Sequence, residues 1–455
     1  MRALFVYTNI KGFHDDCFAF GLASIVSIAR KNGHEAKVTI VRKKEEYSRV
    51  LDDIKEFNPK LVGFTAVSSQ FGAVKDIASN IKDMSPGIIT ICGGVHPTIN
   101  PQCLLESKAL DGIFIGESEH SFIEFLDKID NGRPYQDTDN FAYVKDGKVV
   151  ANRLKPLINN LDDLPPPDRE VYPFEDTLKI SGYAPFFFSR GCPFLCSYCS
   201  NHTLAKCYGL PKNFPRQKSA ELSIREIEDT VKRFNVKTVW LLDDIFGMNK
   251  KWRQEFCEKY KKRVGIKFIC QLRVTVIDDE FIKLLKDTGC YRIQIGVESG
   301  NEYIRNEVMN RRMSQKQIID AAKIIKKYGI QMNTLNIIGV PGETEEMLWD
   351  TIKLNRKIAP TSSGVNVFYP YRGTKLGDYC FEKGLVDETI YNDFSNERRE
   401  SVLKYPEEYK KKLIYYRENW QVLVHPYDLG RRLIMLANKL PFWATLRRIK
   451  RRLGL

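Results

Sequence analysis

Residues 190–201 read RGCPFLCSYCSN, and this stretch places three of the chain's 11 cysteines on one short loop. Cys192, Cys196 and Cys199 follow a C-x3-C-x2-C spacing, with no fourth cysteine at a comparable interval. A structural zinc site takes four protein ligands, and a cubane iron–sulfur cluster also takes four. Three thiolates leave one position open, as a catalytic metal site requires. The alternative is a zinc site completed by a remote ligand such as Cys207 or His202.

The cysteine loop follows the first strand of an alternating strand–helix pattern that extends over residues 184–384. The strand candidates are APFFFSR, VKTVWLL, IKFICQLR, YRIQIGV, IQMNTLNIIG and GVNVFYP. Helical periodicity fills the intervals, at 219–234, 249–263, 278–288, 314–328 and 344–358. We therefore expect a partial (β/α)6 parallel barrel, with its active site at the carboxyl ends of the strands.

Residues 1–133 predict a separate α/β domain with a doubly wound, Rossmann-like parallel sheet. Its strand candidates are ALFVYT, AKVTIV, LVGFTAV, IITICGG and GIFIGE. Helical patterns lie at 20–32, at 71–84 and through HSFIEFLDKI. Ligands bind such sheets at the carboxyl ends of the strands. The residues at two of these ends are Ser68 and Ser69 after the third strand, then Gly93, Gly94, His96 and Pro97 after the fourth. Paired glycines allow a ligand to approach the backbone closely.

Two further regions complete the predicted organisation. Residues 134–183 are rich in proline and turns and predict a linker with a small hairpin, turned at Asp146-Gly147. Residues 385–455 predict a helical, basic region. Residues 401–455 contain 13 Lys and Arg against 4 Asp and Glu. Their net charge of +9 accounts for most of the chain's net charge of +14. Trp and Phe lie among these basic residues, a pattern that suits an anionic membrane surface. The alternative is a helix packed on the barrel with a solvated charged face.

Composition narrows the class of protein. No window of about 18 apolar residues occurs, so a membrane-spanning helix is not expected. Met1 leads directly into a strand-like segment, so a secretory signal is not expected either. Cysteines in such a chain favour metal or redox chemistry over a disulfide framework. We expect a cytoplasmic protein, with peripheral contact at the inner membrane face left open.

The cysteine spacing, with Tyr198 directly before Cys199, resembles the signature of the radical S-adenosylmethionine (SAM) superfamily. The resemblance implies that the three cysteines hold a [4Fe–4S] cluster whose open iron binds SAM. It further implies SAM contacts from Tyr198, Arg273, Glu298, Ser299, Gly339 and Gly342.

The residues alone leave other interpretations open. Arg273 can form a plain salt bridge at the barrel top, and Glu298 can pair with a nearby lysine. Asp243 and Asp244, in LLDDIFG, can cap a helix. The two glycines of VPGET can simply turn the chain.

The N-terminal domain resembles the cobalamin-binding domain that precedes some radical SAM barrels. Ser68 and Gly93 have close to that family's spacing, and its glycines line the groove for the nucleotide tail. The cobalamin contacts that the resemblance implies are Asn9, His14, Ser68, Ser69, Gly93, Gly94, His96, Pro97 and Glu117. The cobalt-ligating motif D-x-H-x-x-G is absent around His14, which puts cobalt coordination by that residue in doubt. The alternatives are a vestigial domain that only shapes the barrel mouth and, for His96, a histidine that holds a backbone carbonyl.

Together the two resemblances imply a cobalamin-dependent radical SAM enzyme. The family cleaves SAM reductively to a 5′-deoxyadenosyl radical, and the expected outcome is C-methylation of an unactivated carbon through methylcobalamin. Cyclisation, rearrangement or oxygen insertion on a lipid or other small molecule is the alternative outcome. A low-potential flavodoxin or ferredoxin is the expected electron donor.

Two other classes of protein remain for comparison. The first is a non-catalytic iron–sulfur protein that only transfers electrons, in which the residues implied for SAM have no role. The second is a nucleic-acid enzyme such as a tRNA methylthiotransferase, which shares the cysteine loop. That family also carries further N-terminal cluster cysteines and a C-terminal RNA-binding β-barrel, and neither is predicted here, so a nucleic-acid partner is not expected.

Overall fold

The computed structural model describes residues 1–10, 18–209, 215–391, 397–431 and 433. The first domain is built on a seven-stranded sheet. Its strands are β1 (Arg2–Thr8), β2 (Glu35–Val41), β3 (Leu61–Thr65), β4 (Ile89–Gly93), β5 (Gly112–Phe114), β6 (Phe141–Lys145) and β7 (Lys148–Ala151). They lie in the order β2-β1-β3-β4-β5-β6-β7, and the first five are parallel. The order reverses between β1 and β3, the point at which such sheets bind ligands.

Helices cover both faces of this sheet, as the doubly wound prediction requires. They are α1 (Phe20–Lys31), α2 (Tyr47–Phe57), α3 (Phe71–Met84), α4 (Val95–Ile99) and α5 (Glu119–Asp130), with short 3-10 helices at Lys44–Glu46, Ser68–Gln70 and Pro101–Glu106. Alternate residues of β1 point to opposite faces. Ala3 and Phe5 pack with α1 and α5, whereas Leu4 and Val6 pack with α2 and α3.

The hairpin expected within the linker is part of this sheet. Strands β6 and β7 pair antiparallel, and β6 also pairs antiparallel with β5. The linker then includes a 3-10 helix (Leu161–Asp163) and α6 (Phe174–Ser181). Arg169 of the linker is buried, and its guanidinium lies 5.0 Å from the ring centre of Phe18 and 4.3 Å from that of Phe186. The linker is thus packed between the two domains.

The second domain is the predicted six-stranded partial barrel. Its strands are β8 (Ala184–Phe186), β11 (Val239–Leu241), β12 (Phe268–Leu272), β13 (Cys290–Glu298), β14 (Gln331–Ile338) and β15 (Ser362–Val367), all parallel and adjacent in chain order. The intervening helices are α7 (Ser200–Cys207), α8 (Ala220–Arg233), α9 (Lys250–Arg263), α10 (Asp279–Thr288), α11 (Gln315–Lys327) and α12 (Glu345–Ile358), with a 3-10 helix at Val274–Val276 and a π-helix at Ile304–Val308. A separate antiparallel ribbon joins β9 (Ser189–Arg190) to β10 (Arg216–Gln217).

The C-terminal region closes the open edge of the barrel. It follows α13 (Lys375–Glu382) and contains α14 (Glu388–Tyr391) and α15 (Glu407–Val424). Trp420 of α15 donates from its indole nitrogen to the hydroxyl of Ser363 on β15, at 2.9 Å. Helix α15 therefore packs on the barrel. Most of the basic segment expected to contact a membrane, residues 434–455, lies outside the described residues. Within the described part of the chain, no helix is both long and apolar enough to cross a membrane.

Candidate active site between the two domains

A cavity of about 500 Å3 lies between the first domain and the cysteine loop. On the first-domain side its wall is formed at the carboxyl ends of β3, β4 and β5, by Thr65, Gly93, Gly94, Gly116 and Glu117. On the barrel side the wall is formed by the cysteine loop, the start of α7 and the segment after β11, through Gly191, Ser200, Asn201, Leu204 and Asp244. The strand ends of both domains thus meet at one cavity, which is where each fold places its ligand.

The cavity continues into the layer between the first sheet and its helices. This inner part is lined by apolar side chains, among them Phe5, Leu22, Ile91, Phe114 and Phe122. Gly63 of β3 and Gly21 of α1 both line this groove. A Cβ atom at Gly63 would lie 2.9 Å from the Phe5 ring, whereas a Cβ at Gly21 would meet no atom within 4 Å. A narrow apolar groove floored by glycine fits the nucleotide tail of cobalamin.

The structure brings only some of the predicted cobalamin residues to this cavity. Gly93, Gly94 and Glu117 line it. Asn9, Ser68, Ser69, His96 and Pro97 do not, although all five lie at the same end of the sheet. His14 lies outside the described residues.

Ser68 and His96 form a buried pair beside the cavity. The hydroxyl of Ser68 lies 2.9 Å from Nδ1 of His96, and the imidazole packs 4.7 Å from the ring centre of Phe71. Burial lowers the pKa of His96 to about 4, so the imidazole is neutral. The partner of His96 is therefore a hydroxyl and not the backbone carbonyl suggested above. This pair fixes the loop after β3 against the start of α4.

Two ion pairs connect the first domain to the ribbon that carries the cysteine loop. Glu119 Oε1 lies 2.6 Å from Arg190 Nη2. Glu117 binds Arg216 through both carboxylate oxygens, at 2.5 and 2.8 Å. Tyr208, just after α7, accepts a hydrogen bond from the Glu117 backbone N–H at 2.7 Å. Glu119, Arg190 and Arg216 were not predicted from the sequence. The helix dipole alone favours an acidic residue at the start of a helix, so Glu119 gave no signal of function.

Cys196, the middle cysteine of the loop, lies beside two cationic side chains. Arg273 Nη1 and Arg311 Nη1 each lie 3.8 Å from the Cys196 sulfur. Burial raises the pKa of Cys192 to about 11 and that of Cys199 to about 12, so both are neutral thiols near pH 7 without a metal. No group of three or more His, Cys, Asp or Glu among the described residues is arranged around a single metal ion. Three thiols on one loop, with two guanidinium groups beside the middle one, fit an anionic cluster.

Arg311 also organises the predicted SAM residues, although no motif marks it in the sequence. Its Nη1 lies 3.2 Å from the hydroxyl oxygen of Tyr198 and 3.7 Å from Oε1 of Glu298. Burial lowers the pKa of Arg311, but Tyr198 and Glu298 outweigh this and hold it above its usual value. The partner of Glu298 is therefore an arginine and not a nearby lysine. Burial raises the pKa of the Glu298 carboxyl.

The backbone at Glu298 has an unusual conformation for a strand end. Its φ is 63°, in the left-handed region, and the β13–β14 register shifts between Gly296 and Glu298. Arg311 donates to the carbonyl of Gly296 at 2.5 Å. A non-glycine residue with this φ is costly unless its surroundings hold it, and such residues cluster at functional sites.

Arg273 does not form a salt bridge with any described carboxylate. Its guanidinium lies 3.8 Å from the ring centre of Phe194 on the cysteine loop, and it donates to the backbone carbonyl of Arg311. Its Nε is buried without a hydrogen-bond partner. The side chain is thus oriented by the loop and keeps hydrogen-bonding capacity for a ligand carboxylate.

Among the other predicted SAM residues, Ser299 and Gly339 form hydrogen bonds within their own loops. Ser299 is fully buried, and its hydroxyl accepts from the Asn301 N–H at 3.2 Å. Gly339 donates from its N–H to Glu343 at 2.6 Å, and burial raises the pKa of Glu343 to about 8. Gly342 is exposed, with a φ of 80° just before α12. Both glycines therefore turn the chain, and the structure gives neither a contact with the cysteine loop.

The acidic pair after β11 does not cap a helix. Asp243 is fully buried and accepts hydrogen bonds from the Phe188 N–H and the Ser189 hydroxyl, at 3.1 and 2.5 Å. It therefore holds the strand end that precedes the cysteine loop. Asp244 lines the cavity, hydrogen-bonds Asn201, and has a pKa raised by burial.

Comparisons with known proteins agree with this geometry. The family model for the radical SAM superfamily matches residues 186–354, and the model for the B12 binding domain matches residues 9–126. An uncharacterized methyltransferase of Pyrococcus horikoshii is 31% identical over 372 residues, which is 80% of this chain and 79% of that protein.

Two further relatives broaden the comparison. An anaerobic magnesium-protoporphyrin IX monomethyl ester cyclase of Rubrivivax gelatinosus is 29% identical over 358 residues, covering 74% of this chain and 62% of the cyclase. The radical SAM methyltransferase TsrM of Kitasatospora setae, solved with tryptophan and a SAM analogue, shares the fold with a TM-score of 0.69. That match has 16% identity and covers 84% of this chain and 76% of TsrM.

Fold and site together define an enzyme with a radical SAM barrel behind a B12 binding domain. Within that class the chain belongs to the cobalamin-dependent radical SAM methyltransferase family. Its cofactors are a [4Fe–4S] cluster, SAM and cobalamin. The alternative of a protein that only transfers electrons is therefore wrong.

Proposed function

We propose that this enzyme transfers a methyl group from SAM to a carbon of a small molecule bound between its two domains. The observation that carries the proposal is the single cavity whose wall joins the strand ends of the first domain to the cysteine loop. A substrate there is next to both cofactor sites at once. When bound, the cluster and SAM supply a carbon-centred radical, and cobalamin supplies the methyl carrier.

Cys192, Cys196 and Cys199 are proposed as the cluster ligands. The raised pKa values of Cys192 and Cys199 mean that cluster binding displaces protons. Arg273 and Arg311 lie 3.8 Å from the Cys196 sulfur and offset the negative charge that thiolate ligation brings into the protein interior.

Tyr198, Arg273 and Glu298 are proposed to bind SAM, together with Arg311. Arg273 has a free buried donor for the SAM carboxylate. Glu298 is held by Arg311 and Tyr198 and can accept hydrogen bonds from the ribose hydroxyls. Ser299 accepts from the Asn301 N–H and so holds the turn after β13, while Gly339 and Gly342 shape the loop after β14.

For cobalamin, we propose that Gly93 and Gly94 contact the ring edge and that the groove at Gly21 and Gly63 takes the nucleotide tail. Ser68 and His96 act indirectly, by fixing the backbone of the loop after β3. Glu117 already binds Arg216, so its role concerns the barrel as much as the cofactor.

Asp244 is proposed to contact the substrate. The charged residues of the cavity wall are Glu117, Glu119, Arg190, Arg216, Lys218 and Asp244. Within the described residues all of these are ion-paired except Asp244. Burying a carboxylate without a cationic partner is costly, so this position favours a substrate that presents a hydrogen-bond donor or a positive charge.

The first test is anaerobic reconstitution with iron, sulfide and hydroxocobalamin, followed by reaction with SAM and dithionite. The expected preparation holds about four irons and one cobalt per chain and forms both 5′-deoxyadenosine and S-adenosylhomocysteine. Iron without cobalt would overturn the methyl-carrier role. Cobalt with 5′-deoxyadenosine but no S-adenosylhomocysteine would instead favour a radical cyclisation, the reaction class named for the Rubrivivax gelatinosus relative.

Two partners belong to the same proposal. The radical reaction requires an electron from a low-potential donor, and we propose one of the flavodoxin or ferredoxin type.

We also propose peripheral contact of the basic C-terminal segment with anionic lipid, consistent with a lipid substrate. Deleting residues 434–455 should lower co-sedimentation with vesicles that contain phosphatidylserine. Unchanged co-sedimentation would leave that segment with a packing role only.

A further inference from the structure

The cysteine loop is reached through a ribbon that carries two opposed arginines. In the antiparallel pairing of β9 with β10, Arg190 lies directly opposite Arg216. Like charges at opposed positions destabilise such a pairing. A two-stranded ribbon is also marginal without support. The ribbon therefore needs negative charge from another part of the protein.

That charge comes from the first domain. Glu119 lies 2.6 Å from Arg190, and Glu117 lies 2.5 Å from Arg216. Glu119 and Arg216 are each 5% exposed, whereas their partners Arg190 and Glu117 are partly exposed, so each ion pair has one buried member. Burial makes each pair sensitive to geometry, because a displaced partner leaves a desolvated charge.

Each of these two ion pairs joins the wall of the proposed cobalamin cavity to the ribbon that carries the cluster cysteines. Glu117 and Glu119 follow β5, whose carboxyl end forms part of the cobalamin cavity. Arg190 is separated from the cluster ligand Cys192 by a single residue, Gly191. A shift of either glutamate is therefore transmitted to the cysteine loop through the ion pairs of the ribbon.

A third contact reinforces the same connection. Tyr208 inserts its hydroxyl next to Gly116, where a Cβ atom would lie 2.0 Å from the phenolic oxygen. The hydroxyl accepts from the Glu117 N–H, and Arg216 donates to the linker carbonyl of Ile158 at 2.7 Å. The first domain, linker and cysteine ribbon thus meet at the Glu117–Arg216 pair.

We propose that Glu117 and Glu119, with Arg216 and Arg190, are positioning residues that set the distance and orientation between cobalamin and the iron–sulfur cluster. The inference rests on the proposed two-cofactor function. The four residues need not contact a reacting atom. They fix the ribbon that presents the cluster to the strand ends that present cobalamin.

The test is a distance measurement between the two cofactors. The full-length protein is reconstituted with iron, sulfide and hydroxocobalamin. Each centre is then reduced by one electron, to [4Fe–4S]+ and Co(II), so that both are paramagnetic. Pulsed EPR gives the distribution of their separation. We expect one narrow distribution for the wild type, and a broader, shifted one for Glu119→Gln and for Glu117→Gln.

Glu226→Gln is the matched control. Glu226 is also buried and pairs with two cations, Arg169 of the linker and Lys218 directly after β10, but neither partner is a residue of the first domain. Its substitution should lower the unfolding midpoint as the other two do and leave the distance distribution unchanged. If Glu119→Gln binds less than full cofactor, Arg190→Lys, which keeps the charge but loses the planar fork, is expected to broaden the distribution.

The outcomes separate the two proposals. A wild type that retains no cobalt overturns the proposed function itself. If the wild type and the variants all hold both cofactors and share the same distance distribution, the positioning role is overturned. The same broadening in Glu226→Gln would also overturn it, because the effect would then follow from lost stability alone.

Discussion

The two halves of the site are built from different kinds of contact. On the barrel side, charged and polar side chains converge on the cysteines: Arg273 and Arg311 each reach Cys196, and Arg311 also holds Glu298. On the first-domain side, the wall is largely backbone and apolar surface, and its polar pair, Ser68 and His96, lies beside the cavity. We therefore expect the barrel side to recognise a ligand mainly by charge and the first domain to recognise one mainly by shape.

This difference explains what each half requires of the sequence. A cluster and a charged cofactor need particular side chains at fixed spacing, so the cysteine motif can be recognised in the sequence itself. A groove needs only the absence of side chains at a few positions, and glycine serves many other purposes. Variants that act on one half and spare the other test whether the division holds.

Loss of a cluster ligand should have the largest effect. Cys192→Ala removes one of three thiolates, so the reconstituted protein should lose nearly all cluster iron and its visible absorbance, while cobalamin binding persists. Cys207→Ala is the control, because that cysteine is exposed and lies at the end of α7. Full iron and sulfide in Cys192→Ala would contradict the assignment. Iron loss in Cys207→Ala would instead revive a site completed by that residue.

A leucine at position 21 should block the groove while the protein keeps its fold. Gly21→Leu places a side chain into open space on the cavity wall, and leucine is the better helix former by about 0.8 kcal/mol. The variant should bind far less cobalamin after desalting, with iron content and unfolding midpoint maintained or raised.

Gly72→Leu is the matched control for this variant. Gly72 is also a helical glycine at which an added Cβ atom would meet nothing within 4 Å, but it lies outside the cavity wall. The Gly72→Leu variant should retain cobalamin. Equal cobalamin content in Gly21→Leu and wild type would show that the nucleotide tail does not enter the groove.

Much of the fold was predictable because its signals are local and repeated. Helix α3 begins and ends where the periodicity places it, at Phe71 and Met84. All six barrel strands overlap the predicted segments, although β13 begins one residue and β15 two residues before the segment predicted for it. Helix α2 was not predicted. The hairpin was assigned to a linker because its pairing with β5 depends on a strand of only three residues, Gly112–Phe114.

The site was predictable only where a motif carries the chemistry. Arg311 comes from a segment without a recognisable pattern, and its contact with Cys196 joins residues 115 positions apart. Arg190 and Glu119 meet across 71 positions and two domains. Such pairs depend on how the domains dock, which neither local periodicity nor spacing encodes.

The barrel side should also show an unusual pH dependence. Burial raises the pKa of Glu343 from 4.5 to about 8, so its ionisation opposes folding. Its contribution is most favourable below the unfolded pKa and is lost as the pH rises towards 8. Relative to Glu343→Gln, the wild type should lose up to about 4 kcal/mol of stability between pH 4.5 and 8. Urea midpoints across this range measure the difference.

Glu345→Gln is the control with the opposite sign. A hydrogen bond from Lys412 holds the pKa of Glu345 below its usual value, so its stabilising contribution is present above the unfolded pKa and is lost as the pH falls. A parallel pH response of the two variants would contradict the environment described for Glu343.

The smallest effect should come from the polar pair beside the groove. Ser68→Ala removes the partner of His96 Nδ1 and should lower the unfolding free energy by about 1 kcal/mol, because a buried nitrogen loses its hydrogen bond. Since neither residue lines the cavity, cobalamin content should match the wild type. A loss of cobalamin beyond what the small destabilisation explains would mean that this hydroxyl reaches the cofactor. The first domain would then recognise its ligand by side-chain chemistry too, and the contrast between the halves would not hold.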